Sequence, residues 1–545
     1  MMIFCRPLIA VQWTAFFFGW NMVPVVSRHA MQKIDQLATS RYGIPPLLLM
    51  EHAGRCVVDE CEKRFGPLKD KKVLIVAGKG NNGGDGFVAA RYLLKRKAFV
   101  SVLLIGKENE LTEDSQANYD ILKNVENTRL RMLFNFNDRE FERSGYDFVF
   151  DGIFGTSFHG DVKGPAKKLI DWMNLQHRPK IVAIDLPSGL EADTGYAGVT
   201  AVKAQLTVTM ALPKIGFYFQ KGPLHTGEIR IADIHIPKQL AKTSRSKIFL
   251  SEEEDITGKL PVRRKDAHKY SVGKTLVLAG SKGLSGAALL SSQSAMKSGA
   301  GAVVLGVPSA IFPAISRRTL EVMPLDLPST SEGSLALSAM ASIRKKVDWS
   351  DVVLIGPGLS RNGETQNVIR SLVQSVTKPL IIDADGLNAI AANISCLKKR
   401  KSRNVVLTPH LGEFSALISK GAREIEMNKV EIARAFARKY RVVLVLKGAP
   451  TIVAAPDGGV FINPNGNAGM ATAGSGDVLG GIIAALVGQG NSAIDAAING
   501  VFVHGTAGDL ARDEIGEMGM LASDILARIP RVLKALCKRR EGMHG

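Results

Sequence analysis

Two glycine-rich runs in this chain put acidic and amide side chains beside backbone that could hold an anion. In "NAGMATAGSGDVLGGIIAAL" the core Gly474-Ser475-Gly476-Asp477 opens a helical pattern. Backbone amides without side-chain obstruction at a helix start form an anion hole at its positive end. Asp477, fixed beside that hole, is placed to take a proton from a hydroxyl as a phosphate arrives. The same spacing also serves a plain N-cap in a Gly-rich turn. In "GKGNNGGDGFVAARYL" the glycines Gly78, Gly80 and Gly83 spell G-x-G-x-x-G after the apolar run "KVLIVA". A dinucleotide-binding dehydrogenase would follow that turn with an acidic residue about 20 positions on, ending the second strand. Here Glu108 comes late, and Asn81, Asn82 and Asp85 crowd the turn itself. Amide and carboxylate oxygens at a strand's end suit a hard cation and a polar ligand.

Further strand ends agree. "FVFDGIFGTSFHGD" puts Asp151 where a strand stops, and "VAIDLPSGL" puts Asp185 and Ser188 at the end of another. In an open parallel sheet, ligands bind beyond the carboxyl ends of the strands. Asn82, Asp151 and Ser188 are therefore expected to converge as oxygen ligands on one cation, although each alone also serves as a cap or turn residue. In the second half, "GPGL" (356–359), "DADGLN" (383–388), "TPH" (408–410) and "KGAPT" (447–451) occupy equivalent places. His410 alone reads as a structural histidine and Lys447 as a solvated lysine, yet "KGAPT" at a strand end suits a nucleotide phosphate or ribose. "GKT" at 273–275 opens no phosphate loop: position 268 is His, not its first glycine, and the segment leads into a strand.

The elements that must position these residues follow from periodicity. From Met31 there is a helix, then a second one within "GIPPLLLMEHAGRCVVDECEKRFG" that ends at a glycine. The strands "KVLIVAG", "FVSVLLIG", "YDFVFDGIFG", "KIVAIDLPSG", "QLTVTMALPK" and "IRIADIHIPKQL" follow, with helices predicted at 86–96, 112–125 and 165–175. Continuous apolar strands separated by helices mean a parallel sheet covered on both faces. A polar connection at 238–250 then leads to a second α/β run, from "KTLVLAG" through "RVVLVLKG" and "PTIVAAP" to two long helices rich in Ala and Gly. The domains are expected at 31–237 and 251–545, with no repeat shared between them.

At 545 residues the chain is too long for one core. Its 46% apolar and 22% charged residues read as globular protein. The net charge of +19 is spread in short runs at 263–269, 398–403 and 537–540. None is interleaved with aromatics, so nucleic-acid binding has little support, and a polyanionic small molecule or solvated loops account for the charge. Five cysteines without a C-x-x-C pair suit free thiols in a reducing cytosol. Pro7 to Ser27 carry no charge, and "LIAVQWTAFFFGW" has the look of a signal h-region. A signal or anchor, a targeting sequence and an upstream extension compete there. The last is favoured because Met22 and Met31 offer alternative starts, so residues 1–30 are expected outside the fold, with no membrane association and a cytoplasmic location.

Residues 31–237 resemble the NAD(P)H-hydrate epimerases through "GIPPLLLMEHAGR", "GKGNNGGDGFVAARYL", "DGIFGTSFHGD" and "AIDLPSGL". Residues from about 248 to 545 resemble the ADP- or ATP-dependent NAD(P)H-hydrate dehydratases, through "GLSGAALLSSQSAMKSGAGAVVLGVP", "IGPGL", "DADGLNAI", "LTPHLGEF", "KGAPTIV" and the G-x-G-D run. The resemblance implies a Rossmann-like three-layer first domain and a ribokinase-like second one, fused in the order typical of bacterial repair enzymes. It implies NAD(P)H-hydrate (NADHX and NADPHX) contacts at Asn81, Asn82, Gly83, Gly84, Asp85, Gly155, Thr156, Ser157, Phe158, His159, Gly160, Asp161 and Asp185. Asp185 would also help as an acid–base group, and Asn82, Asp151 and Ser188 would hold potassium. In the second domain, Ala287, Gly358, His410 and Asp477 would line the hydrate pocket. Lys447, Gly448, Ala449, Pro450, Thr451 and Gly476 would hold ADP or ATP with magnesium, and Gly474, Ser475 and Gly476 would form the anion hole, with Asp477 as base. A homo-oligomer is expected. One departure stands out: the family's His-Lys-Gly is "HKYS" here, which would put Tyr270 at the nucleotide pocket's entrance. A ribokinase-like kinase of a vitamin precursor or sugar alcohol shares the second fold, but the epimerase-like half argues against it. An anchored, non-catalytic nucleotide-binding protein would have no need of Asp477.

Overall fold

The computed structural model describes residues 15–17, 20–134, 136, 141, 144–237, 239–240 and 246–544. It divides into two compact units between Ser246 and Lys247. In the first, β1 (Ala15–Phe17) and β2 (Trp20–Pro24) pair antiparallel. Seven parallel strands follow: β3 (Lys72–Ala77), β4 (Phe99–Leu104), β5 (Leu130–Leu133), β6 (Phe148–Gly152), β7 (Lys180–Ile184), β8 (Leu206–Met210) and β9 (Glu228–Ala232). Their spatial order is β5-β4-β3-β6-β7-β8-β9, so the chain runs outward from β3 and then returns to its other side. That reversal opens a crevice beyond β3 and β6, where the two Asp- and Asn-bearing turns lie.

Alternation along β3 serves both faces of the sheet. Val73, Ile75 and Ala77 pack with Val57 and Phe87 in one core cluster. Leu74 and Val76 face Leu169, Ile170 and Met173 of the helix Gly164–Leu175 in the other. Sequence periodicity passed over β5, an edge strand in which only Leu133 is buried. It also placed the next helix too late: Asn81–Lys95 begins five residues before the expected start at 86. Gly83 permits this, because a Cβ there would lie 1.9 Å from the Gly78 carbonyl oxygen.

The expected boundary at residue 31 is also corrected. Met22, Val23, Val25 and Val26 are fully buried, and Val26 exchanges backbone hydrogen bonds with the loop after β8, N to Pro213 O at 2.9 Å and O from Ile215 N at 3.1 Å. Ser27 then caps the helix Arg28–Tyr42, accepting from Ala30 N at 3.2 Å. Residues 22–30 thus belong to the fold, while residues 1–14 of the expected extension lie outside the described residues. No helix among the described residues is long and apolar enough to cross a membrane.

Of the expected connection, residues 238 and 241–245 lie outside the described residues. The second domain starts earlier than 251, because β10 (Ile248–Leu250) is already a strand, parallel to the later β19. Six parallel strands form the centre of this unit: β11 (Lys274–Leu278), β12 (Ala302–Pro308), β13 (Met323–Leu327), β14 (Val352–Ile355), β15 (Leu380–Ile382) and β16 (Val405–Leu407). β17 (Val443–Leu446) continues them, and β18 (Thr451–Ala454) runs antiparallel between β17 and β19 (Val460–Asn463). The order β10-β19-β18-β17-β16-β15-β14-β11-β12-β13 reverses at β11, beside β14. The helix Ser475–Gly488 is buried nearly all round, as a core helix must be. It crosses the helix Ser285–Lys297 closely: a Cβ on Gly481 would lie 1.8 Å from Ser294 Oγ. A third long helix, Ala522–His544, follows the two expected ones.

Candidate active sites

In the first unit, the three expected cation ligands meet. Ser188 donates through its hydroxyl to Asp151 Oδ1 at 2.6 Å and through its backbone N–H to Asp151 Oδ2 at 2.7 Å. Ser188 Oγ accepts from Phe154 N at 2.9 Å, and Asn82 Nδ2 donates to Phe154 O at 2.9 Å. Asp151 and Ser188 are fully buried and Asn82 nearly so. Burial pushes the Asp151 carboxyl up to about 6, against the hydrogen bonds from Ser188 that favour its charge. The set is one carboxylate among neutral oxygens. That charge count matches a monovalent cation better than a divalent one, which usually gathers more carboxylates.

Asn81 accepts from Thr112 Oγ1 at 2.7 Å, and Gly84 lies against Met50, whose Sδ would meet a Cβ there at 2.5 Å. Asn81 to Asp85 are therefore the first helical turn rather than a free loop. Gly155 to Asp161 do form an open loop: Phe154 stacks on Phe158 with ring centroids 4.9 Å apart, and Gly160 N donates to Glu191 Oε1 at 3.0 Å. A Cβ on Gly155 would approach Asn82 Cβ to 3.4 Å, so the loop closes over the same crevice. Thr156 and Phe158 are half-buried and Ser157, His159 and Asp161 exposed, as side chains open to a ligand would be.

Asp185 sits at φ +62, a left-handed backbone that a non-glycine residue adopts only where its surroundings impose it. Among the contacts that hold it is Lys214, which sequence reasoning missed. Its fully buried ammonium donates to Asp185 Oδ1 at 2.5 Å, to Thr209 Oγ1 at 2.7 Å and to Met210 O at 3.2 Å. Asp185 also accepts from Met210 N at 2.9 Å. Asp35, on the first helix, joins this group: burial pushes it up to about 7, with Lys214 pulling it down and Asp185 pushing it further up. Burial likewise raises Asp85, with Asp185 and Asp35 acting in the same direction. Of these carboxyls only Asp185 is in contact with the buried ammonium; Asp35 and Asp85 feel it through the field. The lysine directly after "ALP" at the end of β8 was a readable signal; Asp35 offered none.

In the second unit, Gly474 takes φ +90 before the helix Ser475–Gly488, and a Cβ there would strike Leu290 Cδ1 at 2.4 Å. Only glycine fits. A Cβ on Gly476 would lie 3.0 Å from Lys447 Nζ. Lys447 is no solvated lysine: it pairs with the buried Asp383 at 2.9 Å and with Glu413 at 3.9 Å. Burial alone would lower its pKa, but Asp383 and Glu413 outweigh it and hold it above the ordinary lysine value. Burial, reinforced by Asp383 and opposed by Lys447, pushes Asp477 up to about 7. A half-buried carboxyl so poised can accept a proton near neutrality. Behind the glycine turn, the buried His504 meets Ser475 Oγ through Nε2 at 3.2 Å, and burial lowers its pKa to about 4.

Ala287 and Gly358 come together as expected, since a Cβ on Gly358 would lie 3.0 Å from Ala287 Cβ. His410 caps the helix that follows while its ring stays largely exposed: Nδ1 accepts from Gly412 N and Glu413 N at 3.0 and 3.2 Å, while Glu413 accepts from His410 N at 2.8 Å. This reciprocal cap brings Glu413 toward Lys447, and "HLGE" had the His-x-x-Glu spacing of a capping box. Thr451 closes the "KGAPT" turn on itself, donating to Gly448 O at 3.0 Å. Gly448 takes φ +152 within it, and Ala449 and Pro450 complete the span. The expected place of Tyr270 is corrected. It precedes β11 at the amino end of the sheet, in a loop whose residues Arg263, His268 and Lys269 line a cavity of about 530 Å³ with Lys297 and Gly301. The site with Asp477 lies beyond the carboxyl ends of the strands.

Comparison with known proteins agrees with both halves. Residues 47–216 match the family described as YjeF-related protein N-terminus, and residues 275–531 match NAD(P)H-hydrate dehydratase. The chain is similar to the bifunctional NAD(P)H-hydrate repair enzyme Nnr of Moorella thermoacetica, 41% identical over 518 residues, covering 94% of this chain and 97% of that protein. The protein of the same name from Thermofilum pendens is 38% identical over 511 residues, covering 92% and 95%. Among solved structures, the chain is similar to the ADP/ATP-dependent NAD(P)H-hydrate dehydratase from Bacillus subtilis co-crystallized with ATP/Mg2+. That match is 31% identical, covers 52% of this chain and 97% of that one, and has a TM-score of 0.45.

Proposed function

This chain belongs to the bifunctional NAD(P)H-hydrate repair enzymes, and from that premise we propose how its residues divide the two reactions. The first unit epimerises the R and S hydrates of NADH and NADPH; the second dehydrates the S form at the expense of ADP or ATP. The observation that carries the assignment of the second site is Asp477 at the glycine turn, whose Gly476 lies against the Lys447 ammonium that pairs with Asp383 and Glu413.

In the dehydratase unit, Gly474, Ser475 and Gly476 present backbone N–H groups to the phosphate being transferred, and Lys447 to Thr451 seat the nucleotide. Asp477 takes the proton of the hydrate's ring hydroxyl as the hydroxyl oxygen attacks the terminal phosphorus, whose bond to the bridging oxygen breaks and releases AMP from ADP, or ADP from ATP. The phosphate then departs with the oxygen, the neighbouring ring carbon loses a proton, and the dihydronicotinamide double bond is restored. Ala287, Gly358 and His410 border the ring. Magnesium, which suits one or two carboxylates plus phosphate oxygens, would find them in Asp383 and Glu413; it would neutralise phosphate charge. Among the described residues no cluster of three or more His, Cys, Asp or Glu side chains is arranged to hold a metal by itself.

In the epimerase unit, Asn82, Asp151 and Ser188 would hold potassium, which when bound supplies a fixed positive charge at the crevice floor. Asn81 to Asp85 and Gly155 to Asp161 contact the hydrate, and Asp185 with Lys214 supplies the charged acid–base pair. Free thiols at Cys56, Cys61, Cys396 and Cys537 fit a reducing cytoplasm.

The direct test follows reduced-nicotinamide absorbance when mixed hydrates are given with ADP or ATP. Complete recovery requires both units; recovery without either nucleotide would sink the scheme. Two further outcomes are expected. Residues 247–545 expressed alone should consume only the S epimer, because the groups assigned to that site, Asp477, Lys447, Asp383 and Glu413, all belong to the second unit; equal consumption of R would refute the division. Asp151→Ala should slow epimerisation in potassium and abolish its advantage over a bulky organic cation, leaving dehydration of pure S hydrate unchanged. Normal exchange in that variant, with wild type indifferent to potassium, would reduce the three residues to turn formers.

A further inference from the structure

Transferring phosphate requires cations that are not already neutralised, and the obvious one is taken. Lys447 is engaged by Asp383 at 2.9 Å and approached by Glu413 at 3.9 Å. Lys429 is differently placed. It opens the helix Lys429–Tyr440 and reaches the turn that leaves β17, donating from Nζ to Pro450 O at 2.6 Å. A Cβ on Gly448 would sit 3.1 Å from that same nitrogen, so the ammonium lies directly over the turn.

Among the described residues, no carboxylate is in ion-pair contact with Lys429. Burial pushes its pKa down to about 8, and Glu426 opposes this only through the field. An ammonium carries three donors, and here one carbonyl uses one of them. Lys429 is half-buried, and a cation so placed with donors to spare is stabilised when an anion completes the site. The positive end of the helix that Lys429 begins adds potential of the same sign. Adenine and ribose are neutral, so the group that gains from this placement is phosphate.

We infer that Lys429 binds the phosphate chain of the donor nucleotide, a contact lying outside the glycine-rich and "KGAPT" motifs. The inference rests on the reading of residues 447–451 as the nucleotide turn. It makes Lys429 a determinant of nucleotide affinity, and of the discrimination between nucleotides and nucleosides.

The test is calorimetric titration of the full chain with ADP, ATP and adenosine. Lys429→Gln keeps a donor for Pro450 while removing the charge. It is expected to weaken ADP and ATP on the order of ten- to hundredfold, leave adenosine unchanged, and raise KM for the nucleotide more than it lowers kcat. Lys429→Arg should stay within about threefold of wild type, since it restores the charge. Unchanged ADP affinity in Lys429→Gln, or equal losses for ADP and adenosine in Lys429→Gln and Lys429→Arg alike, would overturn the inference and leave the lysine a tether for Pro450. Hydrogen exchange separates this from the underlying reading. Protection of 447–451 by ADP in wild type, with unchanged affinity in the variant, overturns Lys429 alone. Tight ADP binding without protection there overturns the nucleotide turn itself, and Lys429 with it.

Discussion

Replacing Asp477 by Asn is expected to abolish nucleotide-dependent dehydration while epimer exchange continues at the wild-type rate. Loss of a general base typically costs ~10²–10⁴ in rate. The substitution keeps the shape of the side chain, and the anion hole is backbone, so nucleotide binding should survive. The pH dependence supplies a second signature. Burial holds the Asp477 carboxyl at about 7, with Asp383 raising it further and Lys447 opposing. As a base it works only when ionised, so dehydration of pure S hydrate should rise as pH passes upward through about 7. That limb should be missing from the residual activity of the variant. Single-turnover rates from pH 5.5 to 8.5, read as reduced-nicotinamide absorbance, would check both points (the range brackets the group by about a unit or more on each side). Near-normal dehydration in Asp477→Asn would place the base elsewhere and reopen the assignment of the second site.

Lys214→Met carries the second large effect, on both stability and epimerisation. The lysine is fully buried, and Asp185 beside it is 13% exposed, so their contact at 2.5 Å is little screened by solvent. Removing one partner of a buried pair leaves an uncompensated charge and commonly costs 3–5 kcal/mol, roughly. The left-handed backbone at Asp185 adds to this, because Lys214 is among the contacts that hold it. Differential scanning calorimetry of the full chain should show an early-melting transition for the first unit and an unmoved one for the second. Epimer exchange should fall with it, while nucleotide-dependent consumption of S hydrate stays at its wild-type value. A destabilisation below about 1 kcal/mol would mean that the pair is solvated in solution, as exposed pairs are. Lys214→Arg distinguishes charge from fit: it keeps the cation but not the three donor directions, so partial stability with slow exchange is the expected pattern.

The sequence by itself determined which residues stand at strand ends. Asp151 and Asp185 each directly follow an apolar run, Asp151 and Ser188 each precede a glycine, and these local patterns bring all three to the crevice. The same holds for Asp383 after "PLII" and for the glycine turn before Asp477. Tertiary structure alone decided what those residues face. The Asp185–Lys214 pair spans 29 positions and the Asp383–Lys447 pair spans 64, distances at which no periodicity operates. Chain direction through the parallel strands decided which end a loop occupies, so Tyr270, expected at the nucleotide pocket's entrance, lies at the amino end, before β11 begins. Packing moved two boundaries: the helix at Asn81 starts early because Gly83 lets it touch the Gly78 backbone, and Val26 is drawn into the core by hydrogen bonds with the loop after β8. Glycine, apolar period and turn chemistry act between neighbours in the chain. The electrostatics of both sites arise from burial and from partners brought together by the crossovers, and these exist only once the sheets have formed.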